Sequence, residues 1–343
     1  MLAPGKLGTY ASLVDWPTIA TLAGLLVLTK SLEASGYLTH LGVHLIALMP
    51  TERALAFFLV LATAALSMFL TNDVALFVVV PLTLGLRATM ALPTTRLIVF
   101  EALAANAGSA LTPIGNPQNL FLWQISQISF GSYCLSMLPL LAIVMAVLLL
   151  MTSVTFAGRK LSVEPGAETT PVVSKLRTLS LLLYLPFLVL TDLHFAVVAL
   201  LLVLMIFFFV DRNVLARTDW GLILVFILMF VDLRLLAQQP LIRTAIESIG
   251  LAHSPRLYIA GIIASQLISN VPAAILLAEY TKDWRLIAYA VNVGGFGFVL
   301  GSLANLIALR MARKRSAWVL FHAYSLPFLL LSGSLVYVYL FMG

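Results

Sequence analysis

Apolar residues run along this chain in long blocks, and polar residues interrupt those blocks at a few places. The clearest interruption lies between Ala54 and Leu86, where ALAFFLVLATAALSMFL leads into Thr71-Asn72-Asp73 and then VALFVVVPLTLGL. One straight helix of that length would reach about 50 Å, beyond a hydrocarbon core of roughly 30 Å, while each arm alone, about 20 to 26 Å, is too short to cross. The pattern predicts a re-entrant helical hairpin over 54-86 with its tip near the bilayer midplane. Non-helical backbone is tolerated at that depth only where it is buried in protein or lines a watery cavity, so the tip is a candidate binding site.

Three further segments share this character. Over 97-127 a helical stretch, LIVFEALAANAGSAL, gives way to Thr112-Pro113-Ile114-Gly115-Asn116-Pro117-Gln118-Asn119. Each proline lacks an N–H and pushes its predecessor out of the α region, so 97-127 is predicted as a discontinuous helix. Ser269-Asn270-Val271-Pro272 interrupts 257-281, the second predicted hairpin, and VNVGGFGFVLGSLAN lies inside 284-309, the second discontinuous helix. Ordinary spans are expected at 16-32, behind Asp15-Trp16-Pro17, and at 133-156, 178-191 and 194-210. Others run from Trp220 to about Leu236 and from Trp318 to Phe341. Leu38 to Met49 is too short to span and reads as an interfacial helix; its His40 and His44 share a face, but no third ligand for zinc lies nearby. Glu101 is expected to pair with Arg96 near the interface, and Asp232 and Arg234 to snorkel from the outer end of their span.

Composition turns this pattern into a class. Apolar residues make up 62% of the 343 and charged residues 10%, against about 45–50% and 25% in soluble domains. This is an all-α polytopic membrane protein. The net charge of +6 could suggest nucleic acid, but no polar segment of domain size carries it, and membrane loops keep Lys and Arg for topology. The single Cys134 excludes an intrachain disulfide and a cysteine metal cluster, and MLAPGKLGTYASLVDWP lacks a signal peptide's apolar core. No HExxH or GxSxG motif occurs, so an enzyme is not expected.

The chain also repeats itself. Asp15-Trp16 matches Asp219-Trp220, Thr71-Asn72 matches Ser269-Asn270, and Asn106 to Leu120 lies on Asn292 to Leu306 at a constant separation of 186. That alignment pairs Asn106 with Asn292, Gly108 with Gly294, Gly115 with Gly301 and Asn119 with Asn305, more Gly and Asn agreement than shared hydrophobicity accounts for. The expected organisation is a first repeat over 1-156, a cytoplasmic linker over 157-177 and a second repeat over 178-343. Five full spans from Trp16 to Trp220 would invert the second repeat. With the linker cytoplasmic, only Lys6, Arg234, Arg243, Arg256, Lys282 and Arg285 of the 20 Lys and Arg fall outside, as the positive-inside rule requires. An inverted-repeat secondary transporter with two re-entrant hairpins and two discontinuous transmembrane helices is predicted.

LSMFLTNDVALFVVVPL and NAGSALTPIGNPQN resemble the ion transporter superfamily, which includes citrate and dicarboxylate/sodium symporters, arsenite permeases and sodium/proton antiporters, and most of all its citrate transporter-like permeases of bacterial inner membranes. The resemblance runs from Asp15 to the C-terminus and implies a homodimeric elevator carrier in the inner membrane, in contact with lipid. Its implied site is Thr71, Asn72 and Asp73 with Thr112, Pro113, Gly115, Asn116 and Asn119, and Ser269 and Asn270 with Gly301, Ser302 and Asn305. The repeat adds Asn106, Asn292 and Gly294. Na+ would sit at Thr71, Asn72 and Asn116 and at Ser269, Asn270 and Ser302. The dicarboxylate symporters carry Ser-Asn-Thr at both tips, whereas Asp73 and Val271 stand here at the third position, so the threonine hydroxyls that would meet a carboxylate are missing. Two spans precede Asp219 and none precedes Asp15, so the halves are unequal.

Each tip offers both signs of partial charge. The arm ending at Leu70 presents free carbonyls suited to a cation, and the arm starting at Val74 presents free N–H groups suited to an anion. No cofactor is called for beyond Na+ or H+ as coupling ion. Asp73 has two open roles, an ion or proton site at membrane depth and an N-cap for the second arm. The expected function is secondary active transport of a small inorganic or organic anion, a carboxylate or oxyanion, coupled to Na+ or H+; the alternative is sodium/proton antiport.

Overall fold

A computed structural model describes residues 10–46, 49–86, 92–161, 173–251 and 254–342, without the side chains of 39 and 42–45. The helices, in order, are α1 (Trp16–Ala34), α2 (Tyr37–Ile46), α3 (Glu52–Phe69), α4 (Asn72–Leu86), α5 (Thr94–Ser109), α6 (Pro117–Ser126), α7 (Phe130–Thr155), α8 (Ser174–Asp192) and α9 (Ala196–Val210). There follow α10 (Arg212–Arg217), α11 (Trp220–Ala237), α12 (Pro240–Ile249), α13 (Ser254–Ile268), α14 (Asn270–Ala278), α15 (Trp284–Val293), α16 (Leu303–Ala312) and α17 (Ser316–Phe341). Among the described residues the only β pairing is a single bridge, Thr51 to Lys160.

Local chemistry sets these boundaries. Asp15, Asp219 and Asp283 each stand before a tryptophan and cap α1, α11 and α15 through Thr18, Leu222 and Leu286 N–H at 3.0 Å. The indoles of Trp16 and Trp220 both fold back onto a carbonyl five residues earlier, Ala11 and Leu215, so the matched dipeptides build the same start. Thr51 caps α3 by accepting from Ala54 N–H, which starts that helix at Glu52 rather than at the expected Ala54. Asn116, with Pro117 behind it, starts α6 by accepting from Asn119 N–H at 2.9 Å. Helix α12 lies between the span expected to end at about Leu236 and the second hairpin, where no element is expected.

Among the described residues, five helices are long and apolar enough to cross a membrane: α3, α7, α8, α11 and α17. The protein is a membrane protein, and its lipid-suited surface is carried by residues such as Leu135, Leu150, Leu182, Phe209, Leu224 and Val319, all exposed. Two expectations of length change. Helix α3, with 18 residues, reaches about 27 Å, so length alone does not forbid it from crossing. Helix α1, expected as a plain span, carries Lys30 and Glu33 and is buried from Thr18 to Thr29 inside the fold, as suits a helix whose threonines are covered by protein.

Each broken helix is shared between halves. Helices α3 and α4 pack together and on α5, and α13 and α14 pack together and on α15. The second segments then cross over: α6 lies against α14 and α15, and α16 lies against α4 and α5. Helix α1 holds α8 and α9 on one side and touches α6 and α11 on the other. The start of α3 is tied to the end of α7, where Glu52 and Arg53 N–H meet the carbonyls of Arg159 and Ala157 at 2.9 and 3.1 Å and the Arg53 guanidinium meets Phe156.

Candidate functional site

The four breaks meet in the middle of the molecule. The hairpin joint at Leu70-Thr71 docks on the break of α5–α6: Asn72 N–H reaches Gly115 O at 2.8 Å, and the Thr112 hydroxyl reaches Met68 O at 2.5 Å. The second joint uses a side chain instead. The Gln266 amide donates to Gly294 O at 2.5 Å and Phe296 O at 2.9 Å and accepts from Phe298 N–H at 2.7 Å. Ser269, at the joint itself, has φ +74°, a strained conformation for a residue with a Cβ. The matched glycines permit these approaches: a Cβ on Gly108 would stand 2.1 Å from Ala64 O, and one on Gly115 2.4 Å from Ser109 O.

Around the breaks, paired side chains interlock across the halves. Asn106 donates to Asn305 Oδ1 at 2.8 Å, and Asn292 donates to Asn119 Oδ1 at 2.7 Å. Asn106 Oδ1 accepts from Ser302 at 2.8 Å, while Asn292 Oδ1 accepts from Asn116 at 3.1 Å. Asn119 also donates to Ser109 O at 3.0 Å and Asn305 to Gly295 O at 2.9 Å. Every one of these bonds has its counterpart 186 residues on. All five asparagines, with Ser302, are buried, and a buried amide with both its ends bonded is a structural clamp before it is a ligand. Gly115, Gly294 and Gly301 serve the close approach of backbones, and Pro113 is buried in the break without a donor to offer.

Other expected site residues keep bonding capacity. Asn270 is buried and touches only the Ser269 hydroxyl, 3.5 Å from its Oδ1. Asp73 is half-buried, and its Oδ1 is buried without a partner. The capping role does not materialise, because Asp73 lies inside the first turn of α4 and its buried Oδ1 accepts from no N–H. A small cavity of about 30 Å³ brings Asn72, Asp73, Asn270, Val271 and Ser302 to one place, with Gln118 and Phe226. Thr71 and Asp73 also face a larger cavity of about 420 Å³, whose wall includes Lys30, Glu33, Arg217 and Asp219. Those four charges were missed because they lie near helix ends far away in sequence. Among the described residues no group of three or more His, Cys, Asp or Glu could hold a metal; the oxygens that line these cavities are the Asp73 carboxylate in both, with Thr71 in the larger and Asn270 in the smaller, donors of the kind a hard cation takes. The side chain of His44 lies outside the described residues.

One expected pairing is overturned. Glu101 is fully buried and bonds the Thr83 hydroxyl, while Arg96 turns to Thr155 O at 3.4 Å; five residues apart on one helix, the two point in different directions. Arg234 forms an ion pair with Glu279 at 3.0 Å and donates to Leu13 O at 2.9 Å.

A family model described as "Citrate transporter", CitMHS, matches residues 1–283. The chain belongs to the CitMHS citrate transporter family. This CitMHS protein is 46% identical to the inner membrane protein YbiR of Escherichia coli (strain K12), over 97% of this chain and 89% of that one. It is 37% identical to the silicon efflux transporter LSI3 of Oryza sativa subsp. japonica, over 41% of this chain and 29% of that one. Its fold resembles the crystal structure of the YdaH transporter of Alcanivorax borkumensis with a TM-score of 0.60, at 16% identity over 98% and 88% of the two chains. The protein is a membrane transporter of this family.

Proposed function

We propose that this protein is a secondary active transporter of a small anion, a carboxylate or oxyanion, driven by Na+ or H+ from a bacterial inner membrane. The observation that carries the reading is Asp73, whose unpartnered Oδ1 stands at the junction of both hairpin joints and lines the small cavity and the larger one. An acid without a bonding partner at the meeting point of four helix breaks suits a coupling ion. The N-termini of α4, α6 and α16, represented in the same cavities by Val74, Pro117 and Leu303, suit the anion. The silicon named in one relative supports the oxyanion class, the name of YbiR supports the inner membrane, and the missing tip threonines make a dicarboxylate the weaker candidate.

In this reading α3–α4 and α13–α14 are re-entrant hairpins of two inverted repeats, entering from opposite sides, and a dimer carries them by an elevator motion. The clamp of crossed asparagines supports a unit that moves as one body. Sodium/proton antiport remains the second reading, favoured by Asp73 and by the missing tip threonines.

Uptake into proteoliposomes of labelled citrate, succinate, phosphate and silicate under imposed Na+ or pH gradients tests both. Gradient-driven uptake of one anion is expected, lost in Asn72→Ala and Asn270→Ala with the fold retained. Proton efflux on a Na+ gradient with no anion taken up would establish antiport. For orientation, a cysteine at Ser316 in a Cys134-free protein should resist labelling from outside.

A further inference from the structure

Repetition supplies an internal control for Glu101. Its Oε1 accepts from the Thr83 hydroxyl of α4, while its Oε2 is buried without a partner, and the residue has 0% exposure. One position further along, Asn106 bonds Ala102 O just as Asn292 bonds Ala288 O, which fixes Ile287 as the counterpart of Glu101. Ile287 is also 0% exposed. The fold therefore fills this place with isoleucine in one half and with an acid in the other, so packing does not require the acid. A carboxyl oxygen buried without a partner costs stability that an isoleucine would not, and an ionisable residue kept at such a cost within a membrane transporter marks a function.

The charged and titratable residues on the helices packed against α5 are Glu52 and Arg53 on α3, Asp73 on α4, Tyr133 and Cys134 on α7, Arg310 on α16, and His322, Tyr324, Tyr337 and Tyr339 on α17, with Arg96 on α5 itself. Among the described residues none of them bonds or ion-pairs with Glu101, whose one bond joins it to α4, the helix that also carries Asp73.

We propose that Glu101 is a proton-binding site of the transport cycle, separate from Asp73. It holds a proton while the packing of α4 on α5 shuts it from water; when the unit moves and water reaches Oε2, the O–H bond of the acid breaks and the proton passes to that water. This rests on the transporter reading given above, and the two can fail separately. Infrared spectra of the purified protein at neutral pH should contain the carbonyl band of a buried protonated acid, absent in Glu101→Gln and retained in Asp73→Asn. A band unchanged in Glu101→Gln would overturn the proposal. The double variant Glu101→Ile with Thr83→Val, which strands no buried hydroxyl, should fold with undiminished thermal stability, which separates loss of function from loss of fold. In vesicles, citrate uptake should change about tenfold per pH unit in the titrating range for one coupled proton and less than twofold in Glu101→Gln. A Glu101→Gln protein with the wild-type pH profile would also overturn it. No uptake of any probe anion by the wild type would sink the transporter reading and leave the infrared band to decide this one.

Discussion

The two halves agree where they hold the molecule together and disagree where they carry charge. Asn106 and Asn292, Asn119 and Asn305, and Asn116 and Ser302 make the same bonds in mirrored order. At the tips, by contrast, Asp73 stands opposite Val271, and on the first broken helix Glu101 stands opposite Ile287. Symmetric residues answer a geometric need that both halves share; in the transporter reading proposed above, the asymmetric acids answer a chemical need that arises once per cycle. The joints differ in the same spirit, since the first docks through backbone and Thr112 while the second borrows the side chain of Gln266.

The comparison can be broken first at the matched glycines. Gly108→Ala forces a Cβ into the backbone of Ala64 at 2.1 Å, and Gly294→Ala forces one onto the Cβ of Ser265 at 2.5 Å, which only a shift of α13 can clear. The first should cost about 4 kcal/mol and the second about 3, read as thermal unfolding in detergent; a larger loss at Gly294 would mean that the second half approaches more closely. Next, Asn106→Ala and Asn292→Ala should each cost about 3 kcal/mol, because each strands buried amides on both sides of the crossing. A large difference between them would show that the clamp is less symmetric than its bonds. Asp73→Asn should leave the fold intact, since no bond is lost, and weaken apparent Na+ affinity about tenfold at pH 8, about 1.4 kcal/mol. Protons compete with a cation for one carboxylate, so Na+ affinity in the wild type should rise with pH and in Asp73→Asn stay flat. The smallest effect belongs to Ser269→Gly, which should stabilise by about 1 kcal/mol by relieving the positive φ, while Thr71→Gly should not.

Much of this arrangement is legible in the sequence because helix breaks leave local marks. Pro113, Pro117 and the glycines announce discontinuity, and Thr71-Asn72 and Ser269-Asn270 stand out against apolar neighbours. What each polar residue does is not local. Asn119 and Asn292 find each other over 173 residues, so a sequence shows two asparagines fit for ligands and the fold shows them bonded to one another. The partner of Arg234 is hidden for the same reason, because Glu279 lies 45 residues on. The amphipathic α12 escaped notice because a search for long apolar blocks passes over a helix with no buried residue.

The crossing of α6 and α16 also sets a timetable for synthesis. When the ribosome has made α6, the amides of Asn116 and Asn119 already bond Ser109, but Asn119 Oδ1 still lacks its donor Asn292, which follows 173 residues later. At about 5–20 residues per second the wait is roughly 10 to 35 s, during which a half-finished chain keeps polar groups open inside the membrane. Insertion machinery or lipid-side water must shelter them for that interval, so a nascent chain stalled between α7 and α15 should be the form that quality-control proteases recognise first.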